Sequence, residues 1–161
     1  MNLLNPFNLE SHYSIFFSAD HIGFDDEKLF IVLDSKNTIF LGLTPAKFGN
    51  PDIPNYYVYQ LEIRKESIKW LIDCIEKKFW LSAAQGGLPK GQYSYKEDVD
   101  GETLALYREM NMGAKGQKGF RFTNFSRPNR KRDKKFQDFF VTDIMLIEGG
   151  LLDELKKIIS L

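Results

Sequence analysis

Apolar residues alternate with polar ones, or form short dense runs, along most of the chain, and these patterns predict about seven strands. Residues 56–63 alternate most regularly, because every second side chain from Tyr57 to Ile63 falls on one face, as in a half-buried strand. Residues 28–34 and 38–43 are two apolar runs joined by three polar residues, which predicts a β-hairpin. The other predicted strands are residues 12–19, 102–110, 119–125 and 139–147.

Two segments have the spacing of amphipathic helices. Residues 65–79 place apolar side chains at i, i+3, i+4, i+7 and i+11 from Ile68, which predicts the main helix. Residues 151–159 predict a closing helix (about 150–160), with acids near its start and lysines near its end, as the helix dipole prefers. Because strands come in groups and do not alternate with helices, we expect a single α+β domain over residues 1–161, built on a largely antiparallel sheet.

The glycine-rich stretches predict connections. Residues 82–101 are expected to form a long connector, and within it residues 86–91 could be a binding loop or a plain link between elements. Glycines also recur at positions 113, 116 and 119. A phosphate-binding loop would lead into a helix, whereas Gly119 leads into a predicted strand, so a hairpin loop is the favoured interpretation.

Composition narrows the class of protein. With 43% apolar and 27% charged residues, the chain fits an ordinary globular protein. Its one cysteine, Cys74, cannot form an internal disulfide, which fits a reducing compartment. Residues 1–10 lack the basic and apolar regions of a signal peptide, and no apolar run approaches the roughly 20 residues of a membrane span. We therefore expect a cytoplasmic protein that does not enter a membrane.

Charge is unevenly distributed. Residues 115–135, here called the basic segment, carry nine basic side chains and one acid, Asp133, in a chain of zero net charge. The remainder therefore carries about −8. The basic segment could bind an acidic protein, bind nucleic acid with help from nearby phenylalanines, or be a solvated loop. Those phenylalanines are Phe120, Phe122 and Phe125, and strand alternation favours the core for the first two.

Two single residues, Trp70 and Asp143, have positions that need individual interpretation. On the helical wheel, Trp70 lies about 200° from Ile68, so it is either an exposed interface anchor or covered by a second layer such as the N-terminal segment. Asp143 interrupts an apolar run, and a buried carboxylate needs a partner, for which Arg108 or Arg121 would serve. A structural ion pair is the favoured interpretation for Asp143.

Catalytic and metal-binding patterns are weak. His12 and His21 flank one predicted strand, roughly 30 Å apart at strand rise, which is too far for a shared acid–base site. The acidic stretch at residues 25–27 lacks the spacing of a calcium loop, and one cysteine with two distant histidines excludes a structural zinc site. Cys74 lies in mid-helix and is expected to be structural. We expect no enzyme activity and no cofactor.

The general character of the chain resembles the small immunity proteins of bacterial polymorphic toxin systems, including contact-dependent inhibition. The resemblance rests on a single α+β domain, aromatic-rich strands such as residues 13–17 and 56–59, and uneven charge. It implies a protein that binds and neutralises a toxin, either with the basic segment or with the acidic remainder. An RNA- or DNA-binding module is the alternative. The predicted contact residues are Trp70, Arg121, Arg127, Arg130, Lys131, Arg132, Lys134 and Lys135.

Overall fold

A computed structural model describes residues 3–48, 53–113, 116–128 and 136–161. Within these residues the chain forms two four-stranded antiparallel sheets, and in each sheet the strands lie in sequence order. The first sheet contains β1 Ser14–Asp20, β2 Lys28–Leu33, β3 Asn37–Pro45 and β4 Tyr56–Arg64. The second contains β5 Ser94–Val99, β6 Glu102–Met112, β7 Gln117–Asn124 and β8 Gln137–Thr142. The predicted α+β class and the antiparallel pairing are confirmed, with the strands divided between two sheets.

Helices follow the last strand of each sheet. A 3-10 turn at Lys65–Ser67 leads into α1 at Ile68–Asp73, which continues as a π-helical stretch at Cys74–Phe79. After β8 come α2 at Asp143–Ile147 and α3 at Leu151–Ile159. The helices predicted at residues 65–79 and 151–159 are therefore present. In the described part of the chain, no helix has the length and apolar character that a membrane span requires.

The two sheets share one hydrophobic core. Phe40 and Ile63 from the first sheet, Leu104 and Phe120 from the second, and the buried faces of the helices all belong to it. A smaller cluster covers the other face of the first sheet. Because both faces of β2 and β3 are buried, these strands need continuous apolar runs, not alternation. The sequence pattern predicts that β4 is buried on one face only. In the structure its more polar face is also partly covered, because Val58 and Glu62 are buried there.

Residues 82–101 are predicted to be a connector without regular structure. This prediction is wrong for Ser94–Val99, which form the strand β5. β5 lies at the edge of the second sheet and is rich in charge, as exposed edges often are. Asp100 and Gly101 have φ values of 51° and 85° and join Val99 to its pairing partner Glu102 in a two-residue turn. An Asp-Gly pair is a strong hairpin signal, so the sequence did contain evidence for this strand.

The strand predicted at residues 139–147 was wrong in its second half. β8 ends at Thr142, whose hydroxyl accepts a hydrogen bond from the Met145 backbone N–H at 3.1 Å and caps α2. Asp143 lies in the first turn of that helix, where a negative charge is favourable. A short apolar run does not distinguish strand from helix, and the Thr-Asp capping pair decides the outcome here.

Candidate functional site

A cavity of about 370 Å³ lies where the two sheets meet. It is bounded by the β1–β2 connection, by β3 and β4 of the first sheet, and by β6 and β8 of the second. Its walls are mainly aromatic or apolar, while Asp25 and Glu27 contribute two carboxylates and none of the described lining residues is basic. The described residues that line it are Phe24, Asp25, Glu27, Thr44, Tyr59, Met112, Gly113, Phe139 and Phe140.

Glu27 is held in place by a buried chain of hydrogen bonds. The backbone N–H of Thr142 donates to His21 Nε2 at 3.3 Å, so the ring proton is assigned to Nδ1, which donates to Glu27 Oε2. The side chain of His21 is fully buried. Glu27 Oε1 lies toward Gly42, where an added Cβ would come within 3.3 Å of that oxygen. The glycine thus allows the carboxylate to approach the sheet closely, and His21 fixes its orientation.

Two tyrosines extend the cavity outward along β4. Tyr59 lines the cavity and is 38% exposed, and Tyr57, two residues away on the same face of the strand, is 51% exposed. We call the surface formed by Phe24, Asp25, Glu27, Tyr57 and Tyr59 the cavity face. It combines a recess, two carboxylates and exposed aromatic rings on one side of the molecule.

A second cavity, of about 450 Å³, involves the predicted binding loop at residues 86–91. Its lining includes Lys78, Arg108 and Tyr93. The Lys78 ammonium lies 4.4 Å from the centre of the Tyr95 ring, and Arg108 forms an ion pair described below. Two of its three cations, Lys78 and Arg108, already have partners within the fold, and the third is Lys90. A binding role for the loop stays a prediction.

Arg127, one of the predicted contact residues, is part of an internal polar network. Its Nε donates to Glu102 Oε2 at 2.5 Å, and its Nη2 donates to Asn37 Oδ1 at 2.8 Å. Glu62, whose side chain is 1% exposed, lies 3.9 Å from Nη1. The network links the first sheet to the second, because the Gln137 side chain also accepts from the Glu62 backbone N–H at 2.8 Å. The guanidinium of Arg127 therefore stabilises the junction of the sheets.

The other predicted residues of the basic segment divide into two groups. Arg121 is half-buried; its guanidinium lies 4.2 Å from the centre of the Tyr107 ring and 3.5 Å from Glu109. Phe120 and Phe122 are buried in the core, so they are not available for stacking on bases. The remaining predicted contact residues, which are Arg130, Lys131, Arg132, Lys134 and Lys135, lie outside the described residues.

Trp70 is covered by a second layer, as one of its two interpretations required, and that layer is β5. The indole stacks on Tyr95 at a centroid distance of 6.4 Å, and its Nε1 donates to Glu97 at 2.7 Å. It also contacts the Phe122 ring at 6.3 Å. The side chain remains only partly buried, and its contact with a partner stays a prediction.

The expected ion pair at Asp143 is present. Arg108 donates two hydrogen bonds of 2.6 Å to its two carboxylate oxygens, although Asp143 begins a helix and does not lie within a strand. Cys74 is buried, and burial raises the pKa of its thiol to about 12, which fits the predicted structural role. The described residues contain no cluster of three or more groups suited to a metal ion.

Sequence reasoning did not find the cavity. Its walls come from five separate stretches of the chain, and only their folding brings Glu27 beside Tyr59 and Phe139. In sequence, the acidic stretch at residues 25–27 shows only that it lacks the spacing of a calcium loop. A useful signal was the aromatic and acidic composition of residues 24–27, immediately before a buried strand.

Comparison with known proteins identifies no relative: no protein-family model, curated protein or solved structure matches the chain.

Proposed function

We propose that the chain is a non-enzymatic cytoplasmic protein that binds a protein partner and neutralises or regulates it, most concretely as an immunity protein against a bacterial toxin. The observation that carries the proposal is the cavity face. Tyr57 and Tyr59 present exposed rings beside a recess at the junction of the two sheets. Tyrosine is enriched among the residues that contribute most to protein–protein affinity, and such residues cluster in well-packed pockets.

The charge of the cavity face indicates the character of the partner. Asp25 is exposed at the recess and Glu27 lines it, so a basic partner surface would be attracted. Complementary charge mainly accelerates association, while buried aromatic contacts slow dissociation. A typical stable complex buries about 1,600 Å² in total, which would extend well beyond the cavity. Neutralisation would follow if this contact covered the partner's active surface.

The alternative of nucleic-acid binding receives less support from the described residues. Phe120 and Phe122 are buried, and Arg127 is engaged with Glu102. An interface for RNA or DNA would therefore depend on other members of the basic segment. We treat nucleic acid as an outcome of the test below.

Affinity capture with matched variants tests the proposal. The tagged wild-type protein, the double variant Tyr57→Ala/Tyr59→Ala and the control Tyr93→Ala would each be incubated with nuclease-treated lysate of the source cells. Tyr93 is a suitable control because it is 59% exposed and lines the second cavity. We expect one stoichiometric protein to survive high salt with the wild type and with Tyr93→Ala, and to be lost from the double variant.

Two other results would contradict the proposal. One is equal retention by all three proteins, which would remove the cavity face from the contact. The other is recovery of nucleic acid alone, lost at moderate salt, since phosphate contacts weaken steeply with ionic strength. The toxin assignment has its own test: co-production with the captured protein should relieve that protein's toxicity. A toxin-domain gene immediately upstream would add support.

A further inference from the structure

We infer that the cavity receives an arginine side chain of the partner protein, an inference that rests on the function proposed above. The charge of the lining favours a cationic occupant. Asp25 and Glu27 line the cavity, and none of the described lining residues carries a compensating positive charge. An anionic occupant would be repelled, and a purely apolar occupant would cover the carboxylates without offering them a hydrogen-bond donor. A cationic group is attracted to both carboxylates and can donate hydrogen bonds to them.

The hydrogen bonding of the Glu27 carboxylate supports the inference. Its Oε2 accepts from His21 Nδ1, whereas Oε1 accepts no hydrogen bond from any of the described residues. Because His21 is itself fixed by the Thr142 backbone N–H, the carboxylate is already oriented before a ligand arrives. A preorganised acceptor lowers the entropy cost of binding. The oxygen that His21 does not use, Oε1, lies near Gly42, on the same side as the Phe139 ring, and both Glu27 and Phe139 line the cavity.

The walls distinguish arginine from smaller cations. Phe24, Tyr59, Phe139 and Phe140 line the cavity with aromatic rings. A guanidinium is planar and weakly hydrated, so it stacks on aromatic faces while donating to carboxylates, and it does both better than an ammonium group. The volume of about 370 Å³ lies within the range of roughly 300–1,000 Å³ typical of small-ligand sites. The cavity therefore has room for a whole side chain together with its apolar stem.

Direct titration tests the inference without the partner. N-acetyl-arginine methylamide would be added to the full-length protein while the NMR signals of Met112 and Thr44, which line the cavity, are followed. The matched control ligand is N-acetyl-citrulline methylamide, which has the same shape and no charge. We expect saturable shifts at both reporters with arginine and binding at least about tenfold weaker with citrulline. Equal binding of the two ligands, or shifts scattered over the surface, would overturn the inference.

Adjacent aspartates supply matched variants. Asp25 lines the cavity, whereas its exposed neighbour Asp26 does not, and Asp26 has a φ of 56°, which asparagine tolerates. We expect Asp25→Asn to raise the dissociation constant of the arginine ligand about five- to tenfold and Asp26→Asn to change it less than twofold. Equal effects would indicate general attraction to an acidic surface and would contradict the inference.

The two proposals can fail separately. If affinity capture shows a protein partner that depends on Tyr57 and Tyr59 but the arginine ligand does not bind, the arginine assignment fails alone. If the ligand binds as expected but no protein is captured, the proposed function fails, and with it the partner as the source of the arginine. In a captured complex, Asp25→Asn should accelerate dissociation about fivefold relative to Asp26→Asn. Equal dissociation rates would show that the cavity does not bind a basic side chain of the partner.

Discussion

Replacing Arg127 with methionine should destabilise the protein strongly, because the guanidinium neutralises two covered carboxylates. The side chains of Arg127, Glu102 and Glu62 are only 19%, 7% and 1% exposed. Removing one partner from a buried ion pair costs about 3–5 kcal/mol, since the remaining charge keeps its desolvation cost without compensation. Methionine preserves most of the apolar stem, so the expected loss reflects charge and hydrogen bonds more than packing.

Arg121→Met is the matched control. Its guanidinium lies 3.5 Å from Glu109, and both side chains are 34% exposed, so this pair should contribute about 0–1 kcal/mol. Urea unfolding followed by tryptophan fluorescence and circular dichroism would measure both variants. With a denaturant dependence of about 2 kcal/mol per molar urea, the midpoint should fall by about 1.5–2.5 M for Arg127→Met and by less than about 0.5 M for Arg121→Met.

A second substitution isolates the cause. Adding Glu102→Gln to Arg127→Met removes the carboxylate that Arg127 contacts most closely and should restore about 1 kcal/mol or more. If Arg127→Met lowers the midpoint no more than Arg121→Met, the network does not stabilise the sheet junction. The same result would return Arg127 to the set of residues available for a partner.

Three further substitutions test other parts of the structure. Burial raises the pKa of Cys74 from 9.0 to about 12, so above pH 9 the native state keeps a proton that the unfolded chain releases. Relative to Cys74→Ala, the free energy of unfolding should therefore fall by about 1.4 kcal/mol per pH unit between about pH 9 and pH 12, and parallel pH profiles of the two proteins would contradict this. Gly113→Ala should destabilise more than Gly91→Ala in thermal unfolding, since both have positive φ but only at Gly113 would a Cβ meet a carbonyl oxygen, at 2.1 Å; equal losses would refute the close approach. Phe120→Ala should cost about 3–5 kcal/mol in urea unfolding because the ring is fully buried, and a loss below 1 kcal/mol would place it outside the core.

The strongly periodic elements could be predicted from the sequence, because their side chains report burial directly. The helix after β4 and the helix α3 were found from the 3.6-residue spacing of their apolar residues. An ion pair at Asp143 with Arg108 or Arg121 is also predicted, since a carboxylate in an apolar run requires a partner, and the structure shows Arg108 in that role. For the two helices, local pattern and tertiary environment agree.

The features that the sequence patterns did not predict also have physical causes. β5 is an exposed edge strand whose charged residues carry little hydrophobic pattern, and the Asp100–Gly101 turn was the better signal. The cavity depends on the approach of two sheets, which no local pattern encodes. Trp70 has the helical-wheel position of an exposed residue, yet β5 covers it, because a strand that was not predicted supplies the second layer.

The placement of charge changes the interpretation of the basic segment. In sequence, its positive residues appear as one uninterrupted feature, but in the fold Arg121 and Arg127 already have acidic partners. The cavity face is opposite in sign and combines shape with exposed aromatic rings. That combination moves the proposed contact from the basic segment to the cavity face.

Hydrogen–deuterium exchange on the complex with the captured partner would locate the contact surface on this protein. Amide exchange would be compared between the isolated protein and the complex. A contact at the cavity face predicts slower exchange in residues 24–27 and 56–59 on binding, with little change around β5. Protection confined to residues 116–128, or to the surface near Trp70 and Tyr93, would contradict it.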